Sequence, residues 1–460
     1  MKIKKKILFP INSDLYIRNY IKTDVLSELE KKFDFFFIAN INVKNINELK
    51  KLKNFIGFFE YKKKEEVRHQ RILNTLMWRY RKISSSFFYR LKWFSQILIK
   101  KENKTETLRY SFLNFLKVLK FRIYIQFFGS YFIFPLFKKI YMMKTKPNST
   151  LNNFVKKISP DIILVPSQAQ CSMDNDLIKI CNQLNIKSIF LIDNWDNLSD
   201  KSLMWNKPDL IGVWGEQSKQ HAIKIQKFQE EKVINIGTPR FENYFKERNN
   251  YHKSFFDFDY ILFLGTALEF DEIKILKIID NFIIKNESKI LKTKIIYRPH
   301  PWRMGTDKIE LSEFKNIIID PQVEKNYFET QTVNTKFQPE IGYYTSLLKN
   351  SKFVVGGLTS MIIESTIFYK NYIVSAFPES QFNNQYNSLK YMLHFKELNS
   401  LSNIMLTTNV KELESSLSKL FNEGSIKYQN KTIDDQRRFF LFDDDRKYST
   451  RLLDLVNKLI

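Results

Sequence analysis

VVGGLTSMIIEST, residues 354–366, decides the architecture of the half of the chain that contains it. Two valines meet two glycines, then a pair of hydroxyl residues, then an apolar-periodic run: strand, tight turn, helix start. Gly356 and Gly357 let the backbone turn sharply and approach a ligand. Thr359 or Ser360 is a natural N-cap, so the first helical N–H groups and the helix dipole point toward an anion. Both hydroxyls are further donors, and Glu364, one turn beyond Ser360, is placed to reach a ribose hydroxyl pair. An ordinary strand-to-helix turn of an α/β domain has the same composition, so the segment by itself settles architecture before chemistry.

Working outward, apolar runs at 260–264, 294–297, 316–319, 353–355 and 372–375 alternate with helical patterns at 269–284, 342–349, 362–369 and 410–421. An earlier series repeats the alternation, with strands expected at 5–9, 34–39, 55–59, 161–165, 188–193, 210–214 and 233–236 and helices at 14–31, 46–53, 173–184 and 217–228. Strands alternating with helices imply βαβ units and a parallel sheet. A chain of 460 residues is too long for one core and ample for two. The expectation is an α/β protein of two Rossmann-like domains facing a cleft. The N-terminal domain covers 1–246, with a basic helical insertion at 61–146. A polar linker lies at 246–259, the C-terminal domain covers 260–430, and a helical tail, 431–460, packs back toward the N-terminal domain.

YRPHPWR, residues 297–303, ends an apolar strand, which places it at the sheet edge where open parallel sheets bind ligands. Arg298, His300 and Arg303 supply donors for phosphate oxygens, and an arginine grips phosphate through two parallel bonds. Pro299 and Pro301 stiffen the loop around His300. In FLGTALEF, residues 263–270, Gly265 and Thr266 form another turn at the same edge. A proton acceptor for group transfer is sought in LIDNWDNLSDK, residues 191–201. There Asp193 ends an apolar strand, Asp196 follows three residues on, and Trp195 is placed to shape an acceptor site. A helix cap with surface acids is the alternative for this loop, and Asp14 and Glu216 are reserves.

These motifs resemble those of GT-B glycosyltransferases, especially bacterial enzymes of capsule and O-antigen synthesis. The resemblance covers most of residues 150–460. It includes INIGTPRFENYF (234–245), similar to the Gly-x-Pro-Arg segment, here with Arg240, that closes the N-terminal domain of such enzymes. It also includes FDDDRKYSTRLLDLV (442–456), similar to their closing helix. In bacterial sialyltransferases and Kdo transferases a His-Pro motif and a paired Ser/Thr motif bind the nucleotide phosphate. The matching positions are His300-Pro301 and Thr359-Ser360, and Glu364 matches the glutamate that commonly holds the ribose. The resemblance implies a nucleotide-sugar donor, a glycan or lipid-linked acceptor, a base from an N-terminal-domain loop, and no cofactor or metal. No cluster with metal-ligand spacing stands out, and Asp443, Asp444 and Asp445 read as a helix-start cap. A sugar-nucleotide 2-epimerase and a polyol-phosphate transferase share the fold and the phosphate loops.

The net charge of +25 is uneven: residues 61–146 hold 21 Lys or Arg against four acids, together with 20 aromatic residues. Abundant Lys and Phe fit a codon bias, but the near-absence of acids from one segment does not. The uncharged stretch 123–137 is shorter than the roughly 20 residues a spanning helix needs. The segment therefore suits an anionic membrane surface. A solvated structural face and single-stranded nucleic acid are the competing roles, and nucleic acid is not expected. Two cysteines, Cys171 and Cys181, make no disulfide framework. The apolar run 7–11 is too short for a signal peptide, so the expected location is the cytoplasm, on the inner membrane face.

Overall fold

The computed structural model describes residues 4–90, 108–169, 171–250, 254–268, 270–288, 290, 292–300, 311–330, 341–380, 384–422 and 430–460. Arg303 and Pro301 lie outside them, as does most of 87–100, a stretch whose sequence pattern reads as a helix.

Two parallel sheets organise two compact units. The N-terminal sheet runs β3 (Phe55–Phe59), β2 (Phe33–Asn40), β1 (Lys5–Ile11), β4 (Ile162–Ser167), β5 (Lys187–Ile192), β6 (Leu210–Val213) and β7 (Val233–Asn235). The C-terminal sheet runs β10 (Ile317–Ile319), β9 (Lys294–Arg298), β8 (Tyr260–Leu264), β11 (Val354–Gly356), β12 (Tyr372–Ser375) and β13 (Ile404–Thr407). Helices shield the faces, so central strands such as IILVPS and YILFL are buried end to end. In each sheet the chain builds outward from its first strand, returns and builds the other way. The reversal falls between β1 and β4 and between β8 and β11, and such switch points are where open α/β sheets bind ligands. The β1–β4 ladder pairs only Ile7 with Ile162 and Leu8 with Ile163. Pro10, which has no N–H, lies past the last of these pairs, where the strands part.

Expectations are corrected at two places, and the structure of a third stretch is added. The helix expected at 14–31 is broken into Asp14–Tyr16, a π-turn at Ile17–Ile21, and Ser27–Glu30. The uncharged stretch 123–137 is two helices, Leu108–Phe128 and Ile133–Lys144, separated at Gly129. The chain changes unit at Arg240/Phe241, ahead of the expected linker, and returns at Phe440, later than the expected tail. Packing explains the early switch. On the helix Glu242–Asn249, Tyr244 stacks edge-on against Tyr344 at 6.2 Å, and Lys349 Nζ donates to the Arg248 carbonyl at 3.0 Å. At the other end Asp434 pairs with Arg248 at 3.1 Å.

The segment returning to the N-terminal unit meets the Gly-x-Pro-Arg turn. Gly237 has φ +74°, and a Cβ there would lie 2.6 Å from the Phe442 carbonyl. Arg451 Nε donates to the Ile236 carbonyl at 3.0 Å. Asp443 and Asp444 are not a cap: they hold Arg451 at 3.5 and 3.0 Å, while the helix Tyr448–Asn457 takes Lys447 as its N-cap.

Candidate functional site

In the C-terminal unit, β8 pairs β9 on one side and β11 on the other, and Leu264 aligns with both Arg298 and Gly356. The turns after these three strands therefore emerge side by side at one sheet edge. The His300 turn and the Gly357–Ser360 turn stand one strand apart from each other, on the order of 10 Å. Gly265 is the floor between them. Its N–H donates to the Arg298 carbonyl at 2.9 Å, and a Cβ on it would lie 2.8 Å from the His300 backbone nitrogen. His300 is half-buried. Thr359 and Ser360 are half-exposed where the helix Met361–Ile367 begins, and the Thr359 hydroxyl accepts the Met361 N–H at 3.4 Å.

Several predicted donors are committed to the scaffold. Arg298 is 5% exposed and ion-paired to Asp320, which is 0% exposed. Its guanidinium also donates to Gln322 Oε1 at 3.1 Å and lies over the Tyr344 ring. A buried, charge-matched arginine is a wall of the fold, not a phosphate grip. Thr266 is likewise spent. Its N–H donates to Glu272 at 3.2 Å, its hydroxyl donates to the Leu268 carbonyl at 2.6 Å and accepts from Gln385 at 3.1 Å. Glu364 is buried beside Tyr344, whose hydroxyl is pushed well up by burial and by that carboxylate. It does not present its carboxylate to solvent.

Gln385 carried no motif, yet it joins the two switch-point turns. Fully buried, it donates to the Leu268 carbonyl at 2.7 Å and accepts the Leu358 N–H at 2.7 Å. Tyr372 adds a bond to the Gly357 carbonyl at 2.9 Å. Both lie far in sequence from what they hold, so local pattern gave no signal.

In the N-terminal unit the corresponding switch point lies between the ends of β1 and β4. Asp193, just past β5, takes a 3.4 Å bond from Gln168. Burial pushes its carboxyl up, against Lys201, Arg240, Gln168 and Arg18, which favour the charged form. Arg240 thus belongs to the surroundings of Asp193. Asp196 pairs with Lys201 at 3.1 Å. Burial works against the Lys201 charge, but Asp196 and Tyr89 outweigh it and hold the ammonium up. Trp195 is buried 6.0 Å from Phe440 and is core rather than acceptor wall. The reserve Asp14 accepts N–H groups of Lys44 and Asn45 at 3.1 and 2.9 Å, and Glu216 accepts from Asn235 at 3.2 Å.

Asp174, absent from the sequence reading, completes this cluster. It accepts the Ser167 hydroxyl at 2.7 Å, and burial pushes its carboxyl up to about 6. An unfolded aspartate titrates near the ordinary value, so between about pH 4 and 6 only the folded chain holds this proton. The stability contributed by the neutral form is therefore lost as pH rises through that window. Asp174→Asn is expected to be more stable than the parent above pH 6, by about 1–3 kcal/mol, and to have no advantage near pH 4. Urea unfolding at both ends of the window measures this.

No protein-family model matches the sequence, and no curated protein matches it. Solved structures share its architecture. A UDP-GlcNAc 2-epimerase from Neisseria meningitidis, bound to UDP-GlcNAc, superposes with a TM-score of 0.51 at 10% identity, over 98% of this chain and 100% of that one. The glycotransferase of kitacinnamycin does so with a TM-score of 0.51 at 9% identity, over 99% of each chain. The fold is of the GT-B type. At such identities the likeness is one of fold, and the chemistry rests on this chain's own residues.

Proposed function

We propose that the chain is a glycosyltransferase. It moves a sugar from a nucleotide-activated donor to a surface glycan or lipid-linked acceptor, working as a peripheral protein on the cytoplasmic membrane face. One observation carries this reading: the His300 turn, the Gly265 floor and the Thr359-Ser360 turn adjoin at the switch point of one parallel sheet. The donor's phosphates lie over Gly265, Gly356 and Gly357. His300 donates from one side, and Thr359, Ser360 and the helix end donate from the other. No metal is assigned to the leaving phosphate in this reading. Asp193 of the N-terminal unit is the proton acceptor we propose. Its raised pKa makes it a stronger base near neutrality than an ordinary aspartate. Asp196 stays with Lys201.

A thermal-shift screen against CMP, UDP, GDP and CDP tests the donor site, with CMP the first candidate. One nucleotide, at roughly 100 times its Kd, is expected to raise the unfolding temperature by several degrees. The paired variant Thr359→Val, Ser360→Ala is expected to abolish that rise. No shift with any of the four sinks the reading. Conversion of a UDP-sugar to its 2-epimer without acceptor would replace transfer by epimerisation.

A further inference from the structure

The basic insertion presents one face that is exposed among the described residues. Its helices Leu108–Phe128 and Ile133–Lys144 form a hairpin, and residues 108–146 contain eight Lys or Arg and no Asp or Glu. The inner side of the hairpin is seated firmly. At its turn a Cβ on Gly129 would lie 2.9 Å from the Trp78 ring, so the turn rests directly on the helix Lys63–Arg79. Arg79 Nη1 donates to the Ser130 carbonyl at 3.2 Å and lies 4.6 Å over the Phe134 ring. Phe134 in turn packs on Trp205 at 5.8 Å.

The outer side is apolar and open. Phe115, Leu119, Ile123 and Phe127 recur every fourth residue, the spacing that keeps side chains on one helical face. Tyr131, Phe132 and Leu136 continue the ridge at 75, 87 and 61% exposure. Exposed Lys117, Lys120, Arg122 and Lys139 are interspersed along it, and Arg81 and Lys82 border the groove beside Tyr131. Large apolar patches of this kind mark a docking surface.

We propose that this ridge docks on the anionic leaflet of a lipid bilayer. Phe127, Tyr131, Phe132 and Leu136 enter the boundary between headgroups and acyl chains, and the flanking cations meet lipid phosphates. Charge complementarity selects this occupant. A second copy would set one acid-free cationic ridge against another. Nucleic acid offers phosphates and flat bases, which leave Leu119, Ile123 and Leu136 without a matching partner. Among the described residues no helix is long and apolar enough to cross a membrane, so the hairpin lies on the bilayer. The inference rests on the membrane-face reading above and supplies the element that makes the contact.

Co-sedimentation of the full chain with neutral phosphatidylcholine vesicles and with vesicles holding about 30% phosphatidylglycerol tests it without any appeal to activity. The parent protein is expected to bind the anionic vesicles selectively. The triple variant Phe127→Ala, Phe132→Ala, Leu136→Ala is expected to lose roughly tenfold in affinity or more with its unfolding temperature unchanged, because the replaced side chains face solvent. A second variant, Lys117→Gln, Lys120→Gln, Lys139→Gln, is expected to lose a similar factor and much of the salt dependence. If the parent binds anionic vesicles and both variants bind as well as it does, the hairpin is not the contact, while the membrane location stands. If the parent binds neither vesicle, or prefers single-stranded RNA, both fall.

Discussion

His300→Ala is expected to lower turnover by at least about a hundredfold while shifting stability by less than about 1 kcal/mol. The stability side follows from placement: His300 is half-buried at the sheet edge, past the last β9 residue. The rate side follows from timing. Negative charge grows on the bridging phosphate oxygen as the glycosidic bond breaks. A donor fixed in advance at that oxygen is worth more in the transition state than in the ground state. Donor affinity in the variant is therefore expected to change far less than turnover. Gly265→Ala checks the same geometry from below. Its added carbon would stand 2.8 Å from the His300 nitrogen and from a Glu272 carboxylate oxygen, so the loop must move and turnover must fall with it. A His300→Ala enzyme turning over at the parental rate would remove the histidine from the chemistry.

How much of this was legible in the sequence depends on where each residue's partners lie. The central strands were plain, because a strand shielded on both faces is written as an unbroken apolar run: Tyr260–Leu264 and Tyr372–Ser375 carry the bounds the pattern gives. The edge strand Ile404–Thr407 was not, being three half-buried residues and a buried threonine in a stretch rich in serine and threonine. The segment after β1 carries a helical period yet breaks into a π-turn, since Tyr16, Ile17 and Tyr20 all turn inward toward the sheet. At the site, the glycine turns were legible because their chemistry is local. The fates of Arg298 and Thr266 were not. A fork-shaped cation beside prolines reads as a phosphate donor until Asp320, twenty-two residues on, is known to face it. Gln385 was invisible for the same reason, since all of its partners are remote in sequence.

That concealed pairing sets the largest stability effect expected here. Arg298→Met is expected to destabilise the C-terminal unit by about 3–5 kcal/mol, the usual cost of stranding one member of a buried ion pair. Asp320 keeps the Tyr343 hydroxyl at 2.8 Å and the Gln322 N–H at 2.9 Å, but two neutral donors do not replace a cation for a fully buried carboxylate. The methionine keeps most of the side-chain volume beneath Tyr344, so cavity formation contributes little and the loss reports charge. Asp320→Asn should cost a comparable amount by leaving Arg298 uncompensated. The double variant Arg298→Met, Asp320→Leu should recover most of the deficit, because apolar replacements of a buried pair are often tolerated. Chemical denaturation of the three variants gives the coupling directly. An arginine serving the nucleotide would behave in the opposite way: Arg298→Met would unfold at the parental midpoint and lose nucleotide affinity alone. That outcome would return Arg298 to the phosphate site and make the pairing with Asp320 a resting contact that substrate breaks.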